Sequence, residues 1–217
     1  MKNLYILSFV SFITFLLYIT NIKYKKRNKR ENFTSNNKTI ILLGDSVLNN
    51  NSYVEKGKTV NDLLEQKIDK NKTIVPLARN NSTINKVYHQ LERVNRDLND
   101  ESTTVFLSVG GNDILKMREK NIDDTFNKYN TLVDAITTKL PNAKLVLFNV
   151  YYPPNKSNYH SEIKKWNTNL DLEYKRNNKN IHILNLAKLL KDPSDFVDDI
   201  EPSITGGEKI VNKISTM

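Results

Sequence analysis

The chain opens with one long apolar run and then settles into short apolar runs separated by polar segments. Five short runs, Thr39–Leu43, Thr73–Leu77, Thr103–Val109, Lys144–Val150 and Ile181–Asn185, are rich in Val, Ile and Leu without clean alternation. That pattern predicts strands buried on both faces of a parallel sheet. The segments between them have helical spacing: Thr59–Ile68, Ser82–Leu98, Thr125–Lys139, Ser161–Lys175 and a closing Gly207–Ile214. In Thr83–Leu98 the apolar residues Ile84, Val87, Leu91, Val94 and Leu98 recur at steps of three and four, which makes an amphipathic stripe. Ser82 or Thr83 is placed to cap it. Strand and helix in alternation imply right-handed βαβ crossovers. The predicted fold is α/β: a three-layer, doubly wound, flavodoxin-like sheet of five parallel strands in the order 2-1-3-4-5. Ligands of such sheets bind beyond the carboxyl ends of the strands, so the residues following each strand are the ones to inspect.

The long run, residues 4–22, reads LYILSFVSFITFLLYITNI and carries no charge. At 1.5 Å per residue it just spans a hydrocarbon core of about 30 Å. Tyr5 and Tyr18 stand near its ends, and the basic run Lys23–Arg30 follows. This predicts a single transmembrane anchor. A cleaved signal peptide is the competing reading, but the small-residue cleavage site is missing, since the first alanine is Ala78. The positive-inside tendency places the basic flank, and the domain after it, on the cytoplasmic side; secretion after signal cleavage is the alternative. The expected organisation is an anchor with its basic flank at 1–30, a polar linker at 31–38, and one domain at 39–217.

Charge and composition narrow the chemistry. The formal charge is +9, but residues 1–30 contain seven basic residues and no acid, so removing those seven leaves +2 for the remainder. The basic character belongs to the N-terminus, which argues against a nucleic-acid partner. The absence of cysteine excludes a disulfide scaffold, a thiol nucleophile and Cys-ligated metal, and three histidines make a multi-His metal centre a poor fit. No metal and no cofactor is expected. A nucleotide- or flavin-binding reading of the same fold lacks a glycine-rich phosphate loop after strand one.

Candidate chemistry follows the strands. After strand one comes Gly44-Asp45-Ser46, with a serine presented at the sheet edge; the bland alternative is an ordinary turn. After strand three comes Gly110-Gly111-Asn112-Asp113, whose glycines allow close backbone approach and whose Asn112 offers an amide donor. A hydroxyl beside an amide donor is what acyl transfer needs, one to attack a carbonyl and the other to stabilise the oxyanion. After strand two comes Ala78-Arg79-Asn80-Asn81-Ser82-Thr83. Near the C-terminus stand Asp198-Asp199-Ile200-Glu201-Pro202-Ser203.

Together these four places resemble the SGNH, or GDSL-like, hydrolase superfamily over roughly residues 39–215. The resemblance implies an esterase, lipase, thioesterase or carbohydrate acetylesterase without a metal. It puts Ser46 in the nucleophile position, with Gly44, Asp45 and Gly111 in support. Its oxyanion hole would be built from the backbone N–H groups of Ser46 and Asn81 and the amide of Asn112. Asn81 stands where the family has glycine, and asparagine tolerates a left-handed backbone better than most residues. The larger departure is in the last block, Asp-x-x-His in the family. Asp198 fits, but Glu201 occupies the histidine position. Glu201 is then the candidate base, steered by Asp198 or Asp199. A non-catalytic ligand-binding protein is the alternative that this replacement raises. Of the histidines, His89 is expected on an exposed helix face and His182 at the wrong end of the sheet. Only His160, in the segment after strand four, is a candidate substitute. Substrate selectivity is expected from the loops Asn49–Lys58 and Tyr151–Tyr159, and the partners expected are an ester of a glycan, lipid or small molecule and, through residues 4–22, a membrane.

Overall fold

The computed structural model describes residues 38–116, 121–174 and 180–217. The predicted membrane span at 4–22 and its basic flank lie outside the described residues. Among those described, no helix is long and apolar enough to cross a membrane.

In chain order the elements are β1 (Thr39–Gly44), α1 (Val60–Lys67), β2 (Thr73–Pro76), α2 (Ile84–Glu92), β3 (Thr103–Ser108), α3 (Gly111–Lys116), α4 (Ile122–Lys139), β4 (Lys144–Phe148), α5 (His160–Tyr174), β5 (Ile181–Leu184), α6 (Leu186–Leu189), β6 (Phe196–Val197), β7 (Glu201–Pro202) and α7 (Ile204–Ser215). The first five strands form one parallel sheet in the predicted order β2-β1-β3-β4-β5. β6 and β7 make a separate antiparallel ribbon beside its carboxyl edge, with Val197 opposite Glu201.

The unbroken apolar strands are explained by two cores. Side chains alternate across a strand, so Ile41, Leu43, Val105, Leu107, Leu145 and Leu147 pack on one face with α2, α4 and α5. Ile40, Leu42, Phe106, Val146 and Phe148 pack on the other with α1, α6 and α7. The first core contains an aromatic knot in which Trp166 meets Phe126 and Tyr129 edge-on, with centroids 5.2 and 5.1 Å away.

Boundaries moved where side chains compete with the backbone. The predicted helix Ser82–Leu98 ends at Glu92; Asn95 then accepts a hydrogen bond from the Asp97 N–H and starts a separate 3-10 turn at Arg96–Leu98. Short polar side chains favour such local bonds over helix continuation. The expected cap also differs: Thr83 stands at the N-cap without a side-chain bond, and the carboxylate of Asp113 accepts from the Ile84 N–H instead. α7 starts three residues before the predicted Gly207, because Ser203 caps it by accepting from the Gly206 N–H.

Candidate active site

The carboxyl edge of the sheet collects the predicted residues. β1 ends at Gly44 with φ at +129°. A Cβ there would lie 1.8 Å from the Ser108 carbonyl oxygen of β3, so only glycine lets the two strands run this close before the chain turns to Ser46. Asp45 anchors that turn: its Oδ1 accepts from the Val47 N–H at 3.2 Å and the Ser108 hydroxyl at 3.1 Å. Burial, helped by the charges of Glu201 and Asp113 and opposed by those two bonds, lifts the Asp45 carboxyl to about 7. After β3, Gly110 adopts φ +118°, and a Cβ there would stand 2.4 Å from the Trp166 ring. The chain thereby enters α3 with Asn112 at the pocket wall.

Ser46 and Asn112 line one pocket, and the Asn81 loop is joined to Asn112 through the Ser82 carbonyl. Asn81 adopts φ +57°, the left-handed backbone that the family's glycine would take. The N–H groups of Ser46 and Asn81 donate to nothing among the described residues. Asn112 Nδ2 donates to the Ser82 carbonyl at 3.0 Å, which fixes the amide against the Asn81 loop. An amide nitrogen carries two hydrogens, so one remains for a ligand.

Glu201 comes to the serine from β7. Its carboxylate shares the pocket with Ser46 and is influenced by the Ser46 and Tyr53 hydroxyls, and its Oε2 is buried without a hydrogen-bond partner. Burial holds this carboxyl above its usual range and the charge of Asp198 adds to that, while the two hydroxyls oppose it. The strand is held from both sides. Asn50, fully buried, donates to the Pro202 carbonyl and accepts from the Val60 N–H. Tyr151 donates its hydroxyl to the Ile200 carbonyl at 2.6 Å. Three residues, 198–200, join β6 to β7; Asp198 and Asp199 adopt positive φ, +51° and +65°, at the centre of a turn that the Ile200 N–H closes onto the Val197 carbonyl.

Other predicted residues sit apart from the serine. Asp198 is exposed and acts on Glu201 through its charge. Asp199 accepts from Asn155 Nδ2 at 2.6 Å on the surface. His160 opens α5 with its Nε2 3.0 Å from the Pro153 carbonyl and its ring edge-on to Tyr152. His89 is exposed beside Glu92, as expected, and His182 is exposed on β5.

Two residues escaped sequence reasoning. Tyr53 lies in an aperiodic loop that gives no signal. Gln90 left one: it is polar, next to Leu91 on the apolar stripe of α2. Buried there, it accepts from the Gly44 N–H at 2.7 Å and donates to the Gly44 carbonyl at 2.9 Å and the Ser82 hydroxyl at 3.1 Å. One amide thus ties the nucleophile turn to the oxyanion loop.

Comparisons with known proteins agree with this fold. Among solved structures, the chain resembles a member of the lipolytic protein G-D-S-L family from Veillonella parvula at TM-score 0.68, with 16% identity over 82% of this chain and 97% of that one. It resembles the psychrotrophic esterase EstA from a Pseudoalteromonas species at 0.58, with 19% identity over 83% and 96%. It resembles a Clostridium thermocellum family 3 carbohydrate esterase at 0.56, with 22% identity over 83% and 94%. At such identities the likeness establishes the fold. No curated protein sequence matches the chain. Residues 42–206 match the GDSL-like Lipase/Acylhydrolase family, a span that runs from β1 through Ser46, Asn112 and Glu201 into α7. The chain therefore belongs to the GDSL-like lipase/acylhydrolase family and is an ester-hydrolysing enzyme.

Proposed function

We propose that the enzyme cleaves carboxylic esters of carbohydrate or lipid with Ser46 as nucleophile and Glu201 as general base. The observation that carries this reading is the meeting of Ser46 and Glu201 in one pocket, where burial raises the affinity of that carboxylate for protons. Glu201 takes the hydroxyl proton as Ser46 Oγ bonds to the ester carbonyl carbon. The resulting oxyanion rests on the N–H groups of Ser46 and Asn81 and the free hydrogen of the Asn112 amide. Collapse expels the alcohol, which recovers its proton from Glu201. Water then gives a proton to Glu201 and attacks the acyl-serine, and collapse releases the acid as Ser46 Oγ takes the proton back from Glu201. A carboxylate is a weaker base than imidazole, and burial narrows that gap by moving its pKa toward neutrality. Asp198 assists through its charge; a deprotonated Glu201 has no proton to donate to it, unlike an imidazole.

Residues 4–22 anchor the enzyme in a membrane, with the domain on the side that carries the basic flank. The motivation is the uncharged run followed by Lys23–Arg30. Protease protection in sealed membranes, with a tag at each end, checks this: a cleavable C-terminal tag on the lumenal or outer face would overturn it.

The catalytic reading is tested with a fluorophosphonate probe and p-nitrophenyl acetate. Ser46→Ala should lose labelling and turnover while keeping its circular dichroism. Glu201→Gln should lower kcat by about 10²–10⁴-fold, the usual contribution of a general base. Folded protein without Ser46-dependent turnover would assign the pocket to ligand binding instead.

A further inference from the structure

The pocket beside Ser46 is a cavity of about 50 Å³. Its polar side chains are mostly those already placed in the catalytic machinery. The rest of the wall is hydrocarbon, with Val109, Ile114, Leu115, Phe148, Ile163 and Leu186 prominent. Asn149 lines it too, with its amide oxygen taken by the Ala187 N–H at 3.1 Å and its Nδ2 left as a single donor on an otherwise apolar stretch of wall. Such a lining receives an aliphatic group better than a polyol. Ser46, Asn112 and Glu201 open into this cavity, so it adjoins a carbonyl held at Ser46.

The wall is also stiff. Ile114 and Ile163 belong to the core that contains Phe126, Tyr129 and Trp166, and Phe148 and Leu186 belong to the opposite core. All four lining residues are at most 2% exposed. Close-packed interiors do not yield a new channel without cost. At about 10–15 Å³ of such space for each water-sized group, the cavity accepts about four heavy atoms.

We infer that this is an acyl pocket for short aliphatic chains of about two to four carbons, and that long fatty acyl esters are excluded. The inference rests on the ester-hydrolase reading above and narrows it to the acyl half of the substrate.

The test is a chain-length series of p-nitrophenyl acetate, butyrate and octanoate on the purified protein, with Ser46→Ala as background. The expected result is a kcat/KM for acetate or butyrate at least tenfold above that for octanoate, within the range that pocket fit supplies for apolar groups. Trimming the wall with Leu115→Ala and Ile163→Ala together should raise octanoate cleavage about tenfold relative to acetate. Leu115→Ala alone, at a half-buried position, should move the ratio in the same direction if the pair fails to fold. Octanoate cleaved as fast as butyrate by the unaltered enzyme overturns the inference and leaves the hydrolase reading standing. A ratio unmoved by the trimmed variants also overturns it. Absence of Ser46-dependent cleavage for all three esters defeats the hydrolase reading and this inference with it.

Discussion

Glu201 is pulled in two directions by its neighbours, and the two can be separated. Asp198 raises its pKa through charge, while the Tyr53 hydroxyl lowers it by favouring the charged carboxylate. The base works deprotonated, so activity rises with pH as Glu201 ionises. Asp198→Asn removes a raising influence and should move the acid limb of kcat/KM to lower pH. Tyr53→Phe removes a lowering one and should move it to higher pH. The measurement is the pH profile of p-nitrophenyl acetate cleavage for both variants; shifts of the same sign would rule out this account of the base. Ser46 and Asn112 were placed by their offsets from the ends of β1 and β3, and Glu201 by its spacing from Asp198. Tyr53 was not. It reaches Glu201 from a loop whose path depends on packing that no local pattern encodes, and its own pKa is raised by burial and by Glu201.

At the scale of elements, buried amides finish what the strands begin. Gln90 pairs with both backbone groups of Gly44, and Asn167 does the same to Val150, accepting from its N–H at 2.9 Å and donating to its carbonyl at 2.7 Å. Each imitates a neighbouring strand just where the sheet stops and the chain must turn toward the site. Gln90→Leu keeps the volume but leaves the Gly44 N–H and the Ser82 hydroxyl unpartnered, while the Gly44 carbonyl keeps the Arg79 N–H at 2.9 Å. Each orphaned buried group costs about 1–3 kcal/mol, so the urea midpoint should fall. Because Gln90 also sets the position of Ser46 against Asn81, kcat should fall well below the unfolding range while the acid limb of the pH profile stays in place. Loss of stability with an unchanged kcat would make Gln90 a purely structural residue. The strands and main helices were legible from period and apolar runs, since burial on two faces writes itself into the sequence. α3 and α6 were not: six and four residues hold no full stripe, and the glycine pair before α3 reads as a turn. The β6–β7 ribbon is two residues a strand, too short for any alternation to register.

For the molecule as a whole, the site carries a stability cost that depends on pH. Asp45 is lifted to about 7 and Asp113 to about 6, in both cases first by burial. In the unfolded chain both ionise near 3.8. Between that value and the folded values, the unfolded state releases a proton that the folded state keeps, so stability falls as pH rises through this window and levels off above about 7. For Asp45 the shift corresponds to on the order of 4 kcal/mol at most. The same carboxylates hold the Ser46 turn and the start of α2, which ties the cost to the geometry of the site. Asp45→Asn keeps the acceptor for Val47 and Ser108 and removes the ionisation. It should match the unaltered protein in urea midpoint near pH 4 and exceed it at pH 8. Asp113→Asn should show the same pattern with its window closing about one pH unit earlier, as the two values imply. If the unaltered protein gains stability from pH 4 to pH 8 and Asp45→Asn does not change that slope, Asp45 is ionised in the folded state, and its contacts with Val47 and Ser108 outweigh its burial.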